Sequence, residues 1–277
     1  MDMGMAGGPD PYREESRTAL RHQHLRHNLP VVWSRRSGYH FHLYNENMSF
    51  IRYSGEGHMA DIVAIKNIPL FSGLQDSALQ DIAKLATRRK FAKNTVIINE
   101  GDETDSLYLI NEGKVKIVLS DEDGKEVIIS ILGPGDFFGE MAIIDDEPRS
   151  ACVITMEPSL FSIIHKVDFN KFMHNNPEAT TNLMKSLSQR LRAANKNIES
   201  LALMDVYGRV ARTLLQFAKE DDGKMVIHEK LTQKDMANMI GASREMVSRI
   251  YKDLTTGGYI TIEQGKITIN EKLPHGW

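Results

Sequence analysis

Between residues 69 and 175 the apolar positions come in short, β-branched runs. Ser106-Leu107-Tyr108-Leu109-Ile110, Lys114-Val115-Lys116-Ile117-Val118-Leu119 and Glu126-Val127-Ile128-Ile129-Ser130-Ile131-Leu132 are the clearest. Turn residues separate them: Asn111-Glu112-Gly113, Asp121-Glu122-Asp123-Gly124 and Gly133-Pro134-Gly135-Asp136. Short strands at nearly regular spacing, each closed by a Gly-bearing turn, predict a small barrel or jelly roll.

From Pro177 the period lengthens. Leu183, Leu187, Leu191, Ala194, Ile198 and Leu201 follow one another at steps of 4, 4, 3, 4 and 3. This run predicts a helix of about 25 residues with a coiled-coil seam, flanked by Gln189, Arg190, Arg192, Lys196 and Asn197. The seam is narrow and its flanks are polar, which favours a dimer interface. A helix packed on its own barrel is the alternative.

Beyond Asp205 come further helices and then a short hairpin, Tyr259–Ile262 and Lys266–Ile269 around a Glu263-Gln264-Gly265 turn. The expected fold class is α+β in three parts: a β-roll at 59–176, a dimerisation helix at 177–205 and a winged helix-turn-helix at 206–277.

Leu231 to Gly258 carries the helix-turn-helix signals. Thr232 is placed to cap a helix, with Asp235 at the acidic position of a capping box. Ala237 and Ile240 lie on its apolar side, Gly241 supplies the turn, and Ser243 caps the next helix. There Val247, Ile250 and Leu254 form a buried stripe, with Arg244, Glu245, Ser248, Arg249 and Lys252 opposite. Arginine pairs in two places with guanine O6 and N7, and glutamate accepts from cytosine N4. That face, with Thr232, Gln233 and Ser243 at the helix starts, is the expected double-stranded DNA contact. Eleven Lys/Arg against nine Asp/Glu from Val206 onwards leave only a slight excess of positive charge. Affinity must then come from charge gathered on one face and doubled by a dimer.

Composition narrows the remaining classes. A single cysteine excludes an intramolecular disulfide framework and an iron–sulfur cluster. No apolar run reaches the ~18 residues of a membrane span, and the N-terminus lacks the apolar core of a secretion signal. The 34 Lys+Arg against 37 Asp+Glu give a net charge of −3, so any nucleic-acid surface is local. A cytoplasmic protein without a membrane partner is expected.

Residues 1–58 stand apart, with seven Arg, no Lys, six of the ten His and no sustained apolar periodicity. A disordered extension is expected there. Ser54-Gly55-Glu56-Gly57-His58 back-translates to a purine-rich run ahead of Met59, so Met59 reads as a start and the extension as an upstream region translated in frame. His22, His24, His27, His40 and His42 follow no metal-ligand spacing, and no metal is expected.

The remaining chemistry lies in Gly139-Glu140-Met141-Ala142-Ile143-Ile144-Asp145-Asp146-Glu147-Pro148-Arg149-Ser150-Ala151. A Gly-led short helix aims N–H groups at an anion, and Arg149 closes on it with charge-assisted hydrogen bonds. Glu140 suits a sugar hydroxyl, as acidic residues do for ribose.

Taken together, residues from about 66 to 270 resemble a transcription regulator of the CRP/FNR family. The Phe-Gly-Glu-Met-Ala…Arg-Ser-Ala run resembles that family's phosphate-binding cassette. Leu201-Ala202-Leu203-Met204-Asp205-Val206-Tyr207-Gly208-Arg209 resembles its hinge, and Gly241-Ala242-Ser243-Arg244-Glu245-Met246-Val247-Ser248-Arg249 its recognition helix. The resemblance implies a homodimer that binds cAMP in each β-roll and presents paired recognition helices to an inverted repeat. Glu140 would then hold the ribose 2′-OH and Arg149 with Ser150 the cyclic phosphate, with Gly139, Met141 and Ala142 alongside. Arg244, Glu245 and Arg249 would read a TGTGA-like half-site. Ala151, where some relatives carry a Thr that favours cGMP, leans towards cAMP.

One departure matters. Where cAMP-responsive members place a Thr-Ser pair against the adenine, this chain has Ala194-Asn195. Asn195 both donates and accepts, and so suits an adenine amino group. The alternatives are another signal, such as cyclic di-GMP or a protein partner, or activity without ligand. RNA polymerase is a further expected partner; Glu220-Asp221-Asp222 reads as a solvated loop, with an acidic surface facing the polymerase as the alternative. Cys152 is expected as a buried inert thiol, and His165 and His174 as ordinary rather than haem-binding histidines. No nucleophile–base pair accompanies the cassette, so no catalytic residue and no enzyme activity are expected.

Overall fold

The computed structural model describes residues 57–229, 231–263, 265–271 and 273. The expected extension lies outside them except for Gly57 and His58, and so do its five clustered histidines. The described elements form one compact unit. None of its helices is long and apolar enough to cross a membrane.

Eight strands build the roll: β1 (Thr87–Phe91), β2 (Val96–Ile98), β3 (Ser106–Glu112), β4 (Val115–Ser120), β5 (Glu126–Leu132), β6 (Phe137–Phe138), β7 (Cys152–Thr155) and β8 (Ser159–His165). They form two antiparallel sheets, in the orders β1-β8-β3-β6 and β2-β7-β4-β5. Helices α1 (Gly57–Lys66), α2 (Asp76–Leu85), α4 (Lys166–Asn175) and the start of α5 (Pro177–Leu203) cover the first sheet. The four-residue α3 (Met141–Ile144) follows β6.

Alternation explains why β8 is buried along nearly its whole length. Phe161 and Ile163 point into the roll with Ile98, Ile110, Val115, Phe138 and Val153, whereas Ile164 joins the helices' Leu79, Phe169 and Phe172. Ring contacts fill the roll: Phe161 lies 5.2 Å from Phe91 and 5.5 Å from Phe138, which stacks on Tyr108 at 4.8 Å. Cys152 departs from expectation. It opens β7 half-buried rather than buried, and its Sγ accepts the Glu100 N–H at 3.3 Å.

Pro177 starts α5 without needing an N–H there, and Glu178 suits its first turn. Of the expected seam, Leu183 is 7% exposed within its own roll's core and Leu187 packs against that core. Leu191, Ile198 and Leu201 stand 63%, 64% and 52% exposed, and Ala194 is exposed with them. Met184, at 56%, takes the place expected of Leu183. The outward positions are therefore Met184, Leu191, Ala194, Ile198 and Leu201; with half-buried Leu187, which also touches the roll's core, the steps are 3, 4, 3, 4 and 3. That is an unbroken heptad pattern.

The last part comprises α6 (Val206–Phe217), β9 (Lys219–Asp221), β10 (Lys224–Ile227), α7 (Gln233–Ile240), α8 (Arg244–Thr256), β11 (Ile260–Glu263) and β12 (Lys266–Ile269). The expected two-stranded wing is one half of a four-stranded antiparallel sheet, ordered β11-β12-β10-β9. The missed hairpin turns at Asp222-Gly223, with φ of 50° and 74°. An Asp-Gly pair is a strong hairpin signal, but the polar β9 gave no apolar run to go with it. Its Glu220 and Asp221 belong to a strand, not a loop.

Candidate functional site

The cassette closes around Arg149. Arg149 is 3% exposed, and its guanidinium donates to three neutral oxygens. Nε reaches Thr104 Oγ1 at 2.6 Å, Nη1 the Gly139 carbonyl at 2.6 Å, and Nη2 the Ser106 carbonyl at 2.8 Å. Gly139 permits this approach: its φ is 85°, and a Cβ there would lie 2.7 Å from Arg149 Nη1 and 2.8 Å from the Ser106 carbonyl. Burial pulls the Arg149 pKa below its usual range, opposed by Tyr108, Asp105, Glu140 and Asp102. No described carboxylate forms an ion pair with Arg149. A buried cation held only by neutral oxygens is an incomplete charge pair, which an anion completes.

Glu140, also 3% exposed, turns the other way. Its Oε1 accepts from Arg190 Nη1 at 2.9 Å, while Arg190 Nη2 donates to the Phe137 carbonyl at 2.5 Å. The Arg190 guanidinium also sits 4.5 Å over the Phe137 ring. Ser150 is exposed and bonds the Met141 sulfur at 3.7 Å, whereas Ala142 and Ala151 are buried. Gly139, Glu140, Met141, Ala142, Arg149, Ser150 and Ala151 thus share one place. Asn195 is exposed on α5, more than a turn beyond Arg190.

On the winged domain the caps form as expected. Thr232 Oγ1 accepts the Asp235 N–H at 3.0 Å and Asp235 Oδ2 accepts the Thr232 N–H at 3.2 Å, while Ser243 Oγ accepts the Met246 N–H at 3.2 Å. Gly241 ends α7 in the left-handed region at φ 63°. Val247, Ile250 and Leu254 are buried, and Arg244, Glu245, Ser248, Arg249 and Lys252 are all exposed; Gln233 is half-buried. Arg209, noted only as part of the hinge run, donates through Nε to the Ile240 carbonyl at 2.9 Å and through Nη1 to the Met204 carbonyl at 2.8 Å. It ties the end of α7 to the end of the long helix.

Residues 88–176 match the cyclic nucleotide-binding domain, and residues 208–272 the Crp-like helix-turn-helix domain. A CRP-like cAMP-activated global transcriptional regulator of Mycobacterium tuberculosis is 33% identical over 206 residues, spanning 73% of this chain and 92% of that relative. The chain belongs to the CRP/FNR family. A CRP/FNR family transcriptional regulator from Thermus thermophilus is 29% identical with a TM-score of 0.55, covering 67% of this chain and 94% of that one. The c-di-GMP responsive global regulator CLP of Xanthomonas campestris shares the fold, with a TM-score of 0.63 at 23% identity over 71% of this chain and 100% of that one.

Within this CRP/FNR chain, Arg190, Thr104 and Ser106 contact Glu140 and Arg149 of the cassette without having been marked by the sequence pattern. Arg190 registered only as a polar flank of the seam, because heptad periodicity sorts residues by helix face and carries no information about what a face meets. Thr104 and Ser106 had no signal of their own: they serve through one hydroxyl and one carbonyl.

Proposed function

We propose that this protein is a cAMP-gated, sequence-specific transcription regulator of the CRP/FNR type rather than an enzyme. The observation that carries this reading is the buried Arg149 beside buried Glu140, one lacking a carboxylate partner and the other paired with the long helix. A cyclic phosphate supplies the missing anion, and a ribose hydroxyl suits Glu140. Asn195 would receive the adenine. The β-roll at 59–176 acts as sensor, and the helix at 177–205 dimerises through its outward stripe. The winged domain at 206–277 reads an inverted repeat of TGTGA-like half-sites through Arg244, Glu245 and Arg249, in the cytoplasm and beside RNA polymerase. The ligand acts only by its differential affinity for the two dimer states.

Fluorescence anisotropy of the chain on a TGTGA-N6-TCACA duplex, at fixed salt and with or without cAMP, tests this. Tight binding only with cAMP supports both sites. Equal binding either way keeps the DNA reader and removes cAMP as its switch. Cyclic di-GMP is the second ligand to titrate, because Ala194-Asn195 replaces the expected Thr-Ser and a regulator of the same fold answers to that dinucleotide.

A further inference from the structure

The β4–β5 hairpin meets the first helix of the helix-turn-helix, α7. Lys114 Nζ donates to Glu229 Oε1 at 3.0 Å. Lys114 is the residue just before β4, and Glu229 lies four residues ahead of α7. Within β4, Lys116 Nζ stands 3.9 Å from Glu126 Oε2 and 4.0 Å from Asp235 Oδ1. Glu126 Oε2 accepts from Asn238 Nδ2 at 3.3 Å, nearly one turn along α7 from Asp235. Asp235 is also the acid of the α7 capping box. A lysine of the roll therefore lies at ion-pair distance from the carboxylate of the capping box that starts the first helix of the winged domain.

These charged side chains are sheltered, at 16–31% exposure, where the surface pair Lys66–Asp76 stands at 61% and 77%. Burial pushes the Glu229 carboxyl up, but the Lys114 hydrogen bond, a backbone hydrogen bond and the Lys114 and Lys219 charges leave it below its usual range. Screening by salt is weaker for such partly buried pairs than for exposed ones. Beyond β5 the chain runs through Gly133-Pro134-Gly135-Asp136 into Phe137, Gly139 and Glu140 of the cassette. With the hairpin docked in this way, the whole Arg244–Lys252 reading face stays exposed.

We propose that Lys114 and Lys116 are positioning residues for DNA reading: Lys114 at the foot of the β4–β5 hairpin and Lys116 within it brace Glu229 and the start of α7, and so hold the winged domain at an angle that keeps α8 open to DNA. The brace rests on the DNA-reading function proposed above, and it couples the pocket to the reader by a route separate from the covalent hinge.

The test uses the full chain with Lys114→Glu, Glu229→Lys and the double exchange, on the same duplex at saturating cAMP and fixed salt. General electrostatics makes Glu229→Lys bind DNA more tightly, since it adds a cation to a DNA-binding domain. The brace makes it bind more weakly. Each single reversal is expected to lose about threefold to tenfold in affinity, and the exchange to recover most of it, with unfolding midpoints close to wild type. Tighter binding by Glu229→Lys, or an exchange as weak as the product of the two singles, overturns the brace. Should wild type bind no duplex with any nucleotide, the DNA-reading proposal is what fails. Carbodiimide coupling of the wild-type chain then decides the brace separately: a Lys114–Glu229 amide supports it, and its absence overturns it.

Discussion

Arg190 on the long helix and Glu140 in the cassette form a 2.9 Å ion pair in which the Glu140 side chain is only 4% exposed and the Arg190 side chain 33%. Leu191, the next residue, stands on the outward stripe. One turn of α5 thus touches both the cassette and the proposed dimer surface, and a ligand that rearranges Glu140 would act directly on that turn.

Replacing Arg190 with Gln leaves Glu140 buried without its cation. The roll is expected to lose about 1–3 kcal/mol in urea unfolding, the usual cost of stranding a buried polar group. Because Glu140 then lacks its tether, cAMP binding in calorimetry should change as well. Unaltered stability and binding would mean that the pair is incidental.

Arg149 supports the fold as well as the proposed ligand site. Arg149→Ala strands the Gly139 and Ser106 carbonyls, which have that guanidinium as a donor. The expected outcome is loss of cAMP response together with a lower unfolding midpoint, not the intact fold that a purely ligand-facing arginine would leave. Arg149→Lys keeps the charge but not the planar fork, and should recover only part of both. Full cAMP affinity in either variant would remove Arg149 from the phosphate site.

Leu183 and Leu191 differ by two turns of one helix and by what covers them. Leu183→Ala empties a packed core and should cost about 2–5 kcal/mol of unfolding free energy at any protein concentration. Leu191→Ala removes an exposed side chain, and its effect should appear as weaker self-association in sedimentation equilibrium. A monomeric wild-type chain, or equal behaviour of the two variants, would sink the assignment of the outward stripe to a dimer.

For DNA reading, Arg244→Ala is expected to cost roughly 1–3 kcal/mol of affinity and to relax preference at one base pair. Anisotropy against duplexes with single-base changes measures this. A uniform loss across all sequences would mark Arg244 as a phosphate contact.

Tyr251 gives a pH dependence. Its buried hydroxyl has no hydrogen-bond partner among the described residues, and burial pushes its pKa up to about 12. A group raised in the folded state keeps its contribution fully below its unfolded pKa, near 10 for tyrosine, and loses it as pH rises towards the folded value. The winged domain should therefore weaken above about pH 10, by up to roughly 2–3 kcal/mol at the top of that window. Tyr251→Phe should reduce the alkaline loss and be neutral or stabilising at pH 7, since it removes an unpaired buried group. Identical alkaline unfolding of wild type and variant would locate the titration elsewhere.

Much of the fold was legible in the sequence because it is written by short-range rules. The Thr232 capping box, the Gly241 turn, the Ser243 cap and the buried Val247-Ile250-Leu254 stripe depend on residues within a turn or two of one another. The cassette was legible for a similar reason, since Gly139 and Arg149 are ten residues apart. The short polar β9 was missed because it has neither an apolar run nor alternation to mark it.

What only the tertiary structure decided involves partners distant along the chain. Glu140 and Arg190 are 50 residues apart, Arg149 and Ser106 43, and Lys114 and Glu229 115. Periodicity offered Leu183 to the seam, yet burial in the core cluster that also holds Leu70, Phe71 and Phe172 draws it onto the roll and leaves Met184 exposed. A helix's period fixes which residues share a face, because that depends on backbone geometry alone. Which surface the face meets depends on burying area and pairing charge across the whole fold, and no local pattern in the chain encodes it.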